Sequence, residues 1–333
     1  DRYEYVYPSL SVLKEISNFK SGNLTLKSTG TNKQFNTNVQ EKTLINDLSY
    51  ESYNKISSQG LIGNYQILFK NFNSKSSGAS IYKDKGENTL QSIINYQIKY
   101  PVQKSGEKFL STLTPTMSAR YSPNKSKNKV YEDRAIDIDN IFSINRIGFS
   151  DTVEGGQSIT IGNEYALFDN KDTSKKILSV NLATSIRDVE NHKMPAESTL
   201  GKKNSDIFGG IEFNTNEFID FDYNFSLDNN LQTINSNHIK STLSFNNFVT
   251  TFDFLEKNNK ADSNSYISNS SKLTINESSS FGFKTRKNKE KDLTEYYNLI
   301  YEYRNDCLVA GIEYKKDYYS DGSLKPDEQL FFS

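Results

Sequence analysis

Hydrophobic and polar residues alternate along most of this chain. In FDYNFSLD (221–228), Phe221, Tyr223, Phe225 and Leu227 fall on one side of an extended backbone. Asp222, Asn224, Ser226 and Asp228 fall on the other, because successive side chains of a strand point to opposite faces. The same period recurs in TLQSIINYQIKY, where Leu90, Ile94, Tyr96, Ile98 and Tyr100 oppose Asn95, Gln97 and Lys99. In FLSTLTPTMSARY it sets Phe109, Leu113, Met117 and Tyr121 against Thr112, Thr114, Thr116 and Arg120. ITIGNEYALF, VTTFDFLEK, YYNLIYEY and CLVAGIEYKKDYY repeat it. A 3.6-residue period competes nowhere, so the pattern predicts an all-β, antiparallel fold.

What medium the apolar row touches decides the function. Many runs reach nine to thirteen residues, whereas strands of soluble proteins cluster near ~5–6 and a tilted membrane strand needs ~9–11. Connections such as SSQG (57–60), FNTNEF (213–218) and DNN (228–230) read as tight. SPNKSKNKVYEDRAIDIDN (122–140), RDVENHKMPAESTLGKKNSD (187–206) and EKNNKADSNS (256–265) read as long and polar. Short turns at one end and long loops at the other suit a transmembrane β-barrel. At roughly twenty residues per strand and connector, ~16 strands are expected, forming part of a larger barrel with no domain boundary within 1–333.

Composition narrows the choice. Only 35% of the 333 residues are hydrophobic, yet Tyr and Phe each number 21, too aromatic for a disordered chain. Such a balance suits strands with one apolar row and a water-lined interior. Forty basic and forty-one acidic residues leave a net charge of -1, which gives no case for nucleic-acid binding. Two His and one Cys leave little for a zinc site or a Cys/His catalytic pair. Cys307 is either a free thiol or half of a bridge to a partner elsewhere. The start at Asp1 and the end within LFFS read as those of a fragment, and neither a leader nor an apolar run of spanning-helix length is evident.

Candidate chemistry is sparse. Glu132, Asp133, Asp137 and Asp139 gather carboxylates as a calcium site would, but without the required spacing; a solvated loop is the better reading. His192 and His238 lie far apart, with no nucleophile or carboxylate placed beside either. No phosphate loop, dinucleotide fingerprint or nucleophile elbow is present, so no catalytic residue, metal or cofactor is expected. NRIGFSDTVEGG is the exception: Asn145, Arg146, Gly148, Asp151, Glu154, Gly155 and Gly156 make a glycine-rich turn with an Arg and two acids, able to form a fixed polar knot.

Those residues also carry a resemblance. SINRIGFSDTVEGGQSITIGNEYALFD resembles the Asn-Arg…Gly…Asp…Glu-Gly-Gly strand–loop–strand signature of the LptD family of lipopolysaccharide-assembly proteins. MPAESTLGKKNSDIFGGIEFN resembles the family's second segment through Pro195, Ser198, Ser205, Asp206 and Gly209. YEYRNDCLVAGIEYKKDYYSDGSLKPDEQLFFS resembles its closing hairpin, and DRYEYVYPSLSV (1–12), more faintly, a barrel segment. Two departures stand out: Thr152 where an Arg is usual, and Thr199 where a Gly is common.

The resemblance implies an outer-membrane protein of a Gram-negative bacterium. It implies a large barrel plugged by an LptE-like lipoprotein, and an N-terminal periplasmic jellyroll, absent here, that receives lipopolysaccharide from an LptA-like bridge. It also implies that Cys307 bonds a cysteine of that jellyroll. Phe221, Tyr223, Phe225 and Leu227 would then face lipid, and Asp222, Asn224 and Ser226 the lumen. The expected function is insertion of lipopolysaccharide into the outer leaflet, with its sugars in a polar lumen and its acyl chains leaving sideways. The alternatives are a porin or TonB-type barrel for small solutes, and a secreted soluble β-sandwich or adhesin.

Overall fold

A computed structural model describes residues 4–19, 21–79, 82–215, 218–258, 265–318 and 327–332. Parts of the predicted turn FNTNEF, of the loop EKNNKADSNS, of the closing hairpin and of the segment DRYEYVYPSLSV lie outside these residues. The first strands are β1 (Glu4–Phe19), β2 (Gly22–Phe35), β3 (Gln40–Ser52), β4 (Lys55–Ile56), β5 (Ile62–Ser77), β6 (Glu87–Lys99), β7 (Val102–Ser105) and β8 (Phe109–Ser122). There follow β9 (Gly156–Asp169), β10 (Lys176–Arg187), β11 (Ile207–Asn214), β12 (Ile219–Leu227), β13 (Ile234–Phe245) and β14 (Phe248–Lys257). The last are β15 (Tyr266–Asn276), β16 (Ser279–Asn288), β17 (Leu293–Arg304), β18 (Val309–Asp317) and β19 (Asp327–Phe332).

The nineteen strands of the described residues pair antiparallel in one sheet, against the sixteen or so expected. The excess lies largely in β4 and β7, pieces of two and four residues beside turns, which a period-2 pattern is too short to reveal. The long strands match the alternating runs, because only a period of two keeps one set of side chains on one face.

The chain divides into two compact units. The first comprises Asp1–Val102, Thr114–Asn163 and Ala183–Asp206; the second comprises Gln103–Leu113, Glu164–Leu182 and Ile207–Ser333. In the first, connectivity puts the connections 20–21 and 53–61 at one end, and 36–39, 78–86, 123–155 and 188–206 at the other. In the second, 215–218, 246–247, 277–278 and 305–308 share one end, and 228–233, 258–265, 289–292 and 318–326 the other. DNN therefore belongs with the longer connections, not with the tight turns. The two-residue hairpin Asn246–Asn247 works because Asn246 tolerates the left-handed backbone it needs (φ +47°).

The distribution of burial is inverted relative to a soluble sandwich. In the first unit the buried row of β5 is Leu68, Lys70, Phe72, Ser74 and Ser76; that of β6 is Gln91, Ile93 and Asn95; that of β8 is Ser118, Arg120 and Ser122. The opposite rows carry Phe69, Leu90, Ile94, Tyr96, Met117 and Tyr121 in the open, with Leu90 65% exposed. Mostly polar side chains are thus covered while large apolar ones are bare, the reverse of what water as the outer solvent would select.

The candidate functional site, a buried arginine–glutamate knot

The polar face of the first unit is covered by 123–155 and 188–206. Read as loops, these segments are in fact packed: Ile136, Ile141, Ile147, Phe149 and Val153 are buried in the first, and Met194, Leu200 and Ser198 in the second. Val153 joins Leu68, Ile93 and Ile144 in one apolar cluster. The acids of EDRAIDIDN serve the local turn: the Asp137 carboxylate accepts from the amides of Asp139 (3.1 Å) and Asn140 (3.0 Å).

Beneath these segments lies the knot. Arg146 donates from Nε and Nη2 to the two carboxylate oxygens of Glu154 at 2.7 and 2.6 Å, a two-pronged pair in which both side chains are 1% exposed. Its remaining donors reach Ser158 (3.0 Å) and Thr160 (2.9 Å) of β9, Ser185 (3.1 Å) of β10 and the Ile141 carbonyl (3.4 Å). The period of two explains this supply of hydroxyls, since Ser158, Thr160 and Ser185 all lie on the covered row.

Arg187, the last residue of β10, donates to Glu154 (3.1 Å) and to the carbonyls of Gly155 (2.5 Å), Val189 (3.2 Å) and Leu200 (3.1 Å). It therefore ties the first covering segment to the second. Arg120 donates to the carbonyls of Ser143 and Ile144. Burial alone would push the Glu154 carboxyl up, but the charge and hydrogen bonds of Arg146, with Arg120 and Arg187 near, hold it down to about 2.

Close approach fixes the glycines. A Cβ on Gly155 would stand 2.0 Å from the Asn124 carbonyl oxygen, and the Gly155 amide donates to Ser126 Oγ at 2.9 Å. Ser126 also accepts from Asn191 at 3.0 Å, a second tie between the segments. Gly148 and Gly156 have φ of +66° and +92°, a backbone that favours glycine. Asp151 faces Lys129 at 3.2 Å, and the Asn145 carbonyl accepts from the Gly148 amide.

In the second segment, Ser198 Oγ donates to the Pro195 carbonyl (2.7 Å) and closes a single 3-10 turn, Ala196–Ser198. Thr199 follows in the left-handed region (φ +51°), the conformation that favours a glycine. Its Oγ1 accepts from the Asp206 amide at 2.9 Å, and Ser205 Oγ accepts from the Ser185 amide at 2.9 Å. Thr152, the other departure, is fully buried and accepts from the Lys127 amide at 2.9 Å.

The residues from 145–156 and 195–206 thus gather in one region. Gly209, Cys307 and the 221–228 row lie in the second unit. Gly209 pairs with Phe225, whose ring occupies the space a Cβ would fill, 2.2 Å away. Phe221, Tyr223, Phe225 and Leu227 share one face and are half-buried; Asp222 and Asn224 are half-buried and Ser226 buried on the other. Cys307 is exposed in the 305–308 turn, its amide donating to the Asn305 side chain. The fold does bring a carboxylate to each histidine: His238, within β13, is 3.0 Å from Asp253, and His192 is exposed beside Glu190. Sequence reasoning missed Arg120, Arg187, Ser126 and Asn191. Arginine is scarce beside lysine in this chain, and three arginines on or between covered rows were the available signal.

No nucleophile or acid–base pair is poised in this knot, and among the described residues no three His, Cys, Asp or Glu side chains converge as metal ligands. Its chemistry is that of a fixed, fully bonded ion cluster. No helix of the described residues is long and apolar enough to cross a membrane, which bears only on helices.

Long antiparallel strands with a bare apolar row and a polar row on the other face define a protein of the transmembrane β-barrel class. The profile of the LptD family, described as LPS transport system D, matches residues 52–288, more than two thirds of the chain, and the chain belongs to that family. No curated protein matches it. Its role is therefore in lipopolysaccharide transport at the outer membrane, within the Lpt system, and the family is one of transporters rather than enzymes.

Proposed function

We propose that this chain is the C-terminal barrel region of a translocon that inserts lipopolysaccharide into the outer leaflet of a Gram-negative outer membrane. The sugars travel along the polar face in water, and the acyl chains leave sideways into lipid. An LptE-like lipoprotein plugs the lumen, and an LptA-like bridge delivers substrate through an N-terminal jellyroll outside residues 1–333. Cys307 lies in a turn at the end of the short connections, the periplasmic end in such barrels; a disulfide from there to the jellyroll is the pairing we assign it. The row Phe221, Tyr223, Phe225 and Leu227 faces lipid, and Asp222, Asn224 and Ser226 face the lumen.

The observation that carries this reading is the inverted burial of the strands, with large apolar side chains bare and mostly polar ones covered. Aromatics at the short-turn end add to it. Phe213 and Phe221 are paired, as are Phe245 and Phe248, with Tyr301 and Tyr303 at the same end. Such a set suits an interfacial girdle.

The test places single cysteines along 221–228 in the full-length protein, with Cys307 and its partner replaced, and labels each with an environment-sensitive dye in bilayers containing a lipid-borne quencher. Quenching at 221, 223, 225 and 227 but not between them is expected; none anywhere overturns the proposal. A porin would also conduct without its lipoprotein, whereas this protein is expected to need that partner to assemble.

A further inference from the structure

The apolar face of the first unit is not apolar over its whole height. From the short-turn end, β3 presents Tyr50 and Leu48, then Asn46, Leu44 and Lys42; β5 presents Ile67 and Phe69, then Asn71, Asn73 and Lys75. These are the rows that carry exposed Leu44 and Phe69, opposite to the covered row of Lys70, Phe72 and Ser74. Toward the long-connection end the face becomes a chain of amides. Ser28 donates to Asn46 (2.7 Å), Asn46 to Asn71 (3.4 Å), Asn73 to Asn71 (2.6 Å) and Asn88 to Asn73 (2.5 Å). Beyond it Lys42 and Lys75 stand directly opposite each other in register, both exposed, and neither makes an ion pair among the described residues. Asn32 is the next position across from Lys42, and it accepts from Gln40 at 3.2 Å.

Two like charges directly opposed across a ladder repel, and an anion seated between them relieves that repulsion. With ~3.4 Å of rise per residue and a tilt near ~40°, Lys42 stands roughly 20 Å above Tyr50, close to the height of a hydrocarbon band. The pair is therefore at the level of headgroups, and the amides below it are suited to sugar hydroxyls. The geometry points to an outward-facing seat on β2, β3 and β5 for a phosphorylated glycolipid of the surrounding leaflet. Lys42 and Lys75 hold the phosphoryl group, and Asn32, Asn73 and Asn88 face the sugar. The seat rests on the barrel reading above, and it differs from the transport route because it lies on the face away from the polar row.

The test uses the assembled protein in nanodiscs, with native mass spectrometry counting bound bis-phosphorylated lipid A, its dephosphorylated form, or phosphatidylglycerol. Wild type is expected to prefer bis-phosphorylated lipid A over both by roughly tenfold, since each basic side chain at such a surface contributes appreciably. Lys42→Gln with Lys75→Gln should abolish that preference, and Lys42→Arg with Lys75→Arg should keep it. Lys55→Gln, in β4 at the opposite, short-connection end of the unit, should leave it unchanged. A preference that survives in the double Gln variant overturns the seat, and so does equal retention of phosphatidylglycerol. If no lipid is retained and the 221–227 labels are unquenched, the barrel reading itself has failed; lipid retained without preference removes the seat alone.

Discussion

The two units treat their polar faces differently. In the first, two chain segments cover the face, and the charges beneath them are enclosed: the side chains of Arg146 and Glu154 are each 1% exposed, and every nitrogen of the Arg187 guanidinium donates to an oxygen. In the second, the face is a ladder of part-exposed ion pairs and hydrogen bonds. Lys176 reaches Glu212 at 3.1 Å and Glu164 at 3.5 Å, His238 reaches Asp253 at 3.0 Å, and Lys315 reaches Asp317 at 2.8 Å. The same residue types therefore do different work. Enclosed, they specify one arrangement of chain; open to water, they keep a wall wet and contribute little to stability.

The widest separation between the two regions should come from Glu154→Ala. It strands Arg146 and Arg187 without a carboxylate, and a cost of about 3–5 kcal/mol is expected in denaturant unfolding of the detergent-folded protein. The same group sets a pH signature. Its folded pKa, about 2, lies below the ordinary 4.5, so its contribution is complete above pH 4.5 and is lost as pH falls toward 2. Glu154→Gln should remove that acid limb; an unchanged limb would mean that another group supplies it.

Next in size is the contrast between faces. Phe225→Lys should cost about 2–4 kcal/mol if the position is near mid-membrane, while Asn224→Lys is tolerated. Equal losses on refolding into vesicles would dissolve the face assignment. A smaller effect is expected at Thr199. Thr199→Val keeps the left-handed backbone and loses the bond from Asp206, costing about 1–2 kcal/mol. Thr199→Gly loses the same bond but relieves the backbone, and should measure closer to wild type. The smallest is Lys176→Gln, which should change stability by less than about 1 kcal/mol despite breaking two ion pairs, because both partners are part-exposed.

Much of this was legible beforehand, for a physical reason. A period of two is a local property, so the strands around Leu90, Met117 and Phe225 could be read from a dozen residues each. Arg146 and Glu154 were legible because they belong to one compact, glycine-marked turn. What covers them was not. Ile136, Ile141, Ile147, Phe149 and Val153 follow no regular spacing, and they are buried by tertiary contact rather than by membership of an element. Arg120 looked like an ordinary polar-row residue and Arg187 like the start of a polar loop, and only the return of the chain at Ser143 and Leu200 reveals their partners. The amide chain on the opposite face was hidden likewise, since Asn46, Asn71 and Asn88 come from three strands.

The knot also has a bearing on how the sheet reaches its final alignment. Its longer bonds join residues as far apart in sequence as Glu154 and Arg187, or Gly155 and Ser126, so these cannot form until β9 and β10 are aligned and the chain after β8 has folded over them. A slip of one residue in β10 would turn Arg187 to the opposite side of the sheet, leaving Glu154 and the Gly155 and Leu200 carbonyls short of a donor. A misaligned sheet thereby loses the contacts of both covering segments at once, and the arginine at the end of β10 couples the alignment of the strand to the packing of the chain above it.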